Sequence, residues 1–145
     1  MRSQVKDFLL KSQHIRARIK AKQDRIRSWE ELATSITAPM AGDGGSTPTR
    51  DVKKMERYMV EILSLENEIM DQIYELQKAE REFHEVVSQL PNPAMQLLLE
   101  LRYLNGLTFM EIAGEIHYSY RWVIELHKKS LQALEECMRL HDEKA

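Results

Sequence analysis

The sequence has a single cysteine, Cys137, in 145 residues. A lone thiol excludes an internal disulfide framework and a thiolate zinc site built within one chain. Glycine and proline are also scarce, with five and four copies. Most of them fall in two short stretches, 39–48 and 91–93, which leaves long uninterrupted segments between. No run of β-branched and aromatic residues alternates with polar ones, so strand signals are missing. No apolar run approaches the roughly 20 residues that a membrane-spanning helix needs. The first residues lead into no apolar secretory segment, and a reducing, cytoplasmic setting is the expectation.

Chemistry is missing too. No nucleophile elbow and no Ser-His-Asp or Cys-His arrangement stands out. Gly42 to Gly45 has Asp43 inside it and no Lys-Ser/Thr pair after it, so it makes a poor phosphate cradle. His14, His84, His117, His127 and His141 never fall at a metal-ligand spacing. The expectation is a binding protein rather than an enzyme, with no cofactor and no metal.

What is abundant is Leu, Ile, Met, Glu, Lys and Arg, which favour helix. Residues 4–36 read as one amphipathic helix. Phe8, Ile15, Trp29 and Ile36 recur at sevens with Lys22 in register, and Ser12, Ile19, Ile26 and Ala33 fill the second seam position. Residues 37–50, rich in Gly, Pro, Ser and Thr, read as a mobile loop. A second long helix follows at about 51–90, with Asp51 as its N-cap. Met55, Ile62, Ile69, Leu76, Phe83 and Leu90 recur at sevens, with Met59, Ile73 and Val87 at the other seam position and Glu66 and Glu80 interrupting it. The net charge of −2 hides an asymmetry. Residues 1–36 carry nine Lys/Arg against four Asp/Glu, whereas residues 50–90 carry six against ten. A basic helix and an acidic one joined by a reversing loop predict an antiparallel, coiled-coil-like helical hairpin. The second helix is the longer, and its unmatched part needs another partner, so a homodimer through the long helices is expected.

Leu90-Pro91-Asn92-Pro93 ends that helix, with Asn92 placed as N-cap and Pro93 as the first residue of the next. An apolar stripe (Ala94, Leu97, Leu98, Leu101, Leu104) stops at Asn105-Gly106. Thr108-Phe109-Met110-Glu111 fits a capping box that opens a short helix at 109–116. After a break at His117-Tyr118, Ser119 caps a longer helix. Ile112, Ala113, Ile116, Val123 and Leu126 have the spacing of a helix-turn-helix, and Tyr118 is expected to tuck into the same core. The fold class expected is therefore all-α, with a helical hairpin at 1–90 and a helix-turn-helix domain at 91–145.

Residues 97–103, 107–113 and 118–123, with Leu126, Leu131 and Leu134, resemble region 4 of bacterial sigma factors. The chain as a whole, with Ala33-Thr34-Ser35-Ile36-Thr37, its Gly-rich loop, its heptad helix and Tyr118-Ser119-Tyr120-Arg121-Trp122-Val123, is similar to sigma-like proteins of Firmicutes phages and prophages, the ArpU/RinA-type late-gene regulators. The resemblance implies a transcription regulator, sigma-like or activating, that lays a recognition helix at about 119–135 in the major groove of double-stranded DNA and has RNA polymerase as a further partner. It makes Tyr120, Arg121 and Glu125 base-facing, with Trp122 and Ile124 beside them and Lys128 and Lys129 at phosphates. Arg suits a bidentate contact to guanine, and Glu accepts from cytosine N4. Three positions depart from the sigma pattern: Tyr120 and Trp122 stand where arginines are usual, and His117 stands at the turn position usually held by Gly. The alternatives from other classes are a DNA-packaging protein of the small-terminase kind and a coiled-coil adaptor that contacts polymerase without binding DNA.

Overall fold

The computed structural model describes residues 3–37 and 48–144; residues 38–47 of the loop expected at 37–50 lie outside them, and its other four residues, 37 and 48–50, are helical. The described residues are all-helical, with no strand. Five α-helices follow in order: α1 (Ser3–Thr37), α2 (Pro48–Val87), α3 (Pro93–Leu99), α4 (Phe109–Ile116) and α5 (Tyr120–Lys144). A π-helical turn, Glu100–Leu104, extends α3. No helix among the described residues is long and apolar enough to cross a membrane.

By contacts the chain divides into two units: residues 1–15 with 76–145, and residues 16–75. The boundary expected at residue 90 lies inside the first.

In the 16–75 unit, α1 and α2 meet along their heptad seams. On α1, Ile19, Lys22, Ile26, Trp29, Ala33 and Ile36 are the half-buried positions, as the periodicity predicts. Lys22 Nζ lies 3.7 Å from Glu68 Oε2, so a lysine in seam register is answered by an acid across it. The Trp29 and Tyr58 rings sit 5.4 Å apart. Residue 22 meets 68 while 29 meets 58, so the two segments run antiparallel.

The second seam row of α2 differs from the expected one. Met59, Glu66 and Ile73 are exposed, and the row that turns inward is Tyr58, Leu65 and Gln72. Both rows repeat at sevens beside Met55, Ile62 and Ile69. Burying the expected row would remove the Glu66 carboxylate from water, a cost of several kcal/mol unless it is paired. The observed row buries only one polar group, Gln72, whose Oε1 has no hydrogen-bond partner among the described residues.

In the other unit the same row continues as Ala79 and Val86, both buried, while Glu80 is half-buried. Val87 of the expected row is buried as well. Here Val5 and Leu9 of α1 pack with Phe83, Val86, Val87 and Leu90, and with Leu99, Tyr103 and Leu134. Phe8 stacks on Phe83 at 5.9 Å, and Lys11 pairs with Glu82 at 3.7 Å. The α2 start falls at Pro48, three residues before the expected cap, which leaves Asp51 in the first turn, where a carboxylate favours the helix dipole.

The punctuation after α2 is as read from the sequence. Asn92 Oδ1 accepts from the Ala94 N–H at 2.9 Å, with Pro93 opening α3. The helix then widens: the Asn105 N–H donates to Glu100 O at 3.0 Å, five residues back, and the Leu107 N–H to Leu101 O at 3.0 Å. Gly106, at φ 75°, makes the exit that a side chain would strain.

Candidate nucleic-acid interface

The site is built on α4, the turn after it and the first three turns of α5. Thr108 starts α4 with a reciprocal cap. Its Oγ1 accepts from the Glu111 N–H at 3.2 Å, and Glu111 Oε1 accepts from the Thr108 N–H at 3.1 Å. Two donors at the helix start are satisfied in this way. The helix ends at His117, which adopts the left-handed conformation at φ 60°, ψ 38°. The Tyr118 N–H closes the turn on Ala113 O at 3.2 Å. Ser119 Oγ then accepts from the Trp122 N–H at 3.1 Å and opens α5.

One face of this helix pair is sealed. Ile112 and Val123 are fully buried, Ala113 and Leu126 nearly so, and all four pack with Leu98 of α3. Leu101, Leu107, Phe109 and Ile116 close the edges. Ser130, next along the inner face of α5, is also fully buried and satisfies its hydroxyl on Leu126 O at 2.7 Å.

The opposite face of α5 is open. Val123, Leu126, Ser130 and Leu134 turn inward, so at 100° per residue Arg121, Glu125 and Lys128 form a stripe on the far side. Tyr120 and Ile124 flank it on one edge, and Trp122 and Lys129 on the other. Six of these seven residues are exposed and Ile124 is half-buried. The segment from Tyr120 to Lys129 spans about 14 Å of helix. Glu125 and Lys128 pair at 3.6 Å, whereas Arg121 has no ion-pair partner among the described residues.

The aromatic residues are arranged differently from expectation. Tyr118 does not enter the core; it is 48 % exposed and stacks on Trp122, ring centroids 4.1 Å apart. The left-handed His117 reverses the chain before Tyr118, so its side chain leaves on the outer side. Trp122 thus both packs and shows its surface, at 40 % exposure.

A layer behind the stripe was not legible in the sequence. His127 Nε2 lies 2.7 Å from the Tyr103 hydroxyl, and its ring meets Phe109 edge-on at 4.7 Å. Arg102 lies over the other aromatic partner, Phe109, at 4.4 Å, and donates from Nη1 to Leu107 O at 3.0 Å. Burial, and secondarily the Arg102 charge, lower the His127 pKa from 6.5 to about 4. The ring is therefore neutral at neutral pH and adds no charge to the open face. Burial also raises the Tyr103 pKa, against the opposing pull of Arg102. Tyr103 and His127 are 24 residues apart, and nothing local marks them as partners.

No group of three or more His, Cys, Asp or Glu among the described residues could hold a metal ion. Comparison of the chain with family models, with curated proteins and with solved structures gives no match in any of the three.

Proposed function

We propose that this chain is a sequence-specific DNA-binding transcription regulator. In this reading α4 and α5 act as a helix-turn-helix of the sigma region 4 kind, α5 lies in the major groove, and α1 and α2 form a helical hairpin that dimerises or holds RNA polymerase. One observation carries it: a sealed inner face holds α5 while its first turns present Arg121, Glu125 and Lys128 in a single outward stripe. Such a stripe offers a guanine-type donor, a cytosine-type acceptor and a phosphate contact within reach of one groove. The phage or prophage setting comes from the sequence resemblance alone.

A second reading is favoured by the Tyr118–Trp122 stack. An exposed aromatic pair beside a nearly charge-balanced helix is also what a protein-contact surface presents. In that case the domain is an adaptor that contacts polymerase and leaves no footprint on DNA.

Selection from a random DNA library with the purified chain, with and without RNA polymerase, separates these. An enriched motif with the chain alone establishes the regulator, and one that needs polymerase establishes a sigma-like subunit. No motif in either arm, with weak binding equal on all sequences, sinks the DNA reading. A ring of eight or more chains in native mass spectrometry would instead favour DNA packaging.

A further inference from the structure

Beyond its two inward rows, α2 carries a third apolar row that no described residue covers. Val52, Met59, Leu63, Met70 and Tyr74 follow one another at steps of seven and four. All five are exposed, Met70 by 64 % and Tyr74 by 71 %. Val60 and Ile73 widen the band. Every one of these residues lies within the 16–75 unit. Seven exposed apolar side chains on one face form a contiguous band rather than the scattered single residues ordinary on a surface, and such a band marks an interaction site. With Glu56 and Glu66 at the skipped positions, residues 52, 56, 59, 63, 66, 70 and 73 have the alternating four-and-three spacing of a coiled-coil seam, so the fitting occupant is another helix.

Charge along α2 selects which helix, and in which direction. Residues 50–57 hold Arg50, Lys53, Lys54 and Arg57 against Asp51 and Glu56. Residues 61–75 hold five acids, Glu61, Glu66, Glu68, Asp71 and Glu75, and no base. Two copies of α2 laid antiparallel bring the basic end of each over the acidic stretch of the other. Laid parallel, they set acid on acid and place Glu56 and Glu66, which interrupt the row, against their own copies; laid antiparallel, the two carboxylates face apolar residues instead, and their partial desolvation is a cost that the apolar contacts offset. Like charges opposed in this way are destabilising.

Resting on the homodimer reading above, we infer that the occupant is a second copy of this chain. The two α2 helices cross antiparallel on the Val52–Tyr74 row, with the twofold axis near Leu63, its midpoint. The interface is isologous, so each residue of the row serves both copies.

Sedimentation of the full chain at micromolar concentration reads the mass, and a dimer is expected. Leu63→Glu and Met70→Glu each raise the dissociation constant at least tenfold, with helical circular dichroism unchanged because both sites are exposed. Should Leu63→Glu lose helicity, Met70→Glu carries the test. Orientation is read by oxidative cross-linking in a Cys137→Ser background. Leu63→Cys, near the axis, self-cross-links; Val52→Cys does not, since its copies lie at opposite ends. A monomeric parent chain, a dimer indifferent to both glutamates, or self-cross-linking at Val52→Cys overturns the inference. DNA binding measured on the same samples keeps the two readings apart. A dimer without DNA binding retains this face and loses the regulator, and a monomer that binds DNA does the reverse.

Discussion

His117 shows what a single residue contributes to this domain. The turn between α4 and α5 requires a left-handed residue, and His117 supplies it at φ 60°. A non-glycine residue in that conformation costs about 1–2 kcal/mol. The side chain is exposed, so little packing is lost on its removal. His117→Gly is therefore expected to stabilise the domain by about 0.5–1 kcal/mol after allowing for the freer unfolded chain. A chemical-denaturation midpoint that falls would show that the imidazole has a stabilising role outside the turn. His127 gives a pH-dependent counterpart. Its pKa is lowered in the fold, so the unfolded chain binds the extra proton first. The penalty is absent above pH 6.5 and grows as pH falls towards about 4. Thermal midpoints of the parent chain should drop faster over that window than those of His127→Gln, and parallel curves would refute the neutral ring. On the open face, Arg121 and Lys128 should behave differently. Arg121→Ala is expected to cost about 1–3 kcal/mol on a selected site and to relax its sequence preference. Lys128→Ala should weaken binding equally on all sequences and lower the salt slope by about one unit. Identical behaviour would mean that the helix is oriented wrongly in the groove.

At the scale of elements, α2 carries three apolar rows where a surface helix ordinarily needs one stripe. The row at 55, 62 and 69 is common to any reading of the heptads. Its companion was ambiguous by one residue, and the row at 58, 65 and 72 turns inward because it avoids a buried Glu66. The signal was present in the sequence: a row with carboxylates at 66 and 80 is a poorer candidate for burial than one with Gln72 and Ala79. Gln72 is the remaining blemish, buried with an unpartnered Oε1. Gln72→Met keeps the volume and removes the unsatisfied acceptor, so it is expected to stabilise the α1–α2 pairing by about 1 kcal/mol. Urea unfolding measures this. A loss of stability would mean that the amide has a partner in solution, and the register role known for buried polar residues in coiled coils would then fit better. The π-helical turn at Glu100–Leu104 belongs to this scale as well. It widens the end of α3 just where Arg102 reaches Leu107 O and the ring of Phe109, and Tyr103 reaches His127.

For the whole molecule, the sequence by itself determined what depends on neighbouring residues. Caps at Asn92, Thr108 and Ser119, the glycine exit at 106 and the turn at 117 all follow from short-range hydrogen bonding and backbone sterics, and all were readable, whereas α2 starts three residues earlier and α5 runs nine residues further than expected from the sequence. So were the inward positions Ile112, Ala113, Val123 and Leu126, because a 3.6-residue period fixes which side chains share a face. The exposed site residues were legible to the same extent, since whatever lies opposite a buried row must face out. Tertiary structure decided the rest. It placed Tyr118 outside the core, joined Tyr103 to His127 across 24 residues, and chose between two rows of α2 that repeat with the same period. Periodicity states that a helix has a face to bury, but it cannot say which of several apolar faces meets which neighbour. That choice depends on contacts between residues far apart in the chain, where desolvation of each buried group is set against the packing it gains.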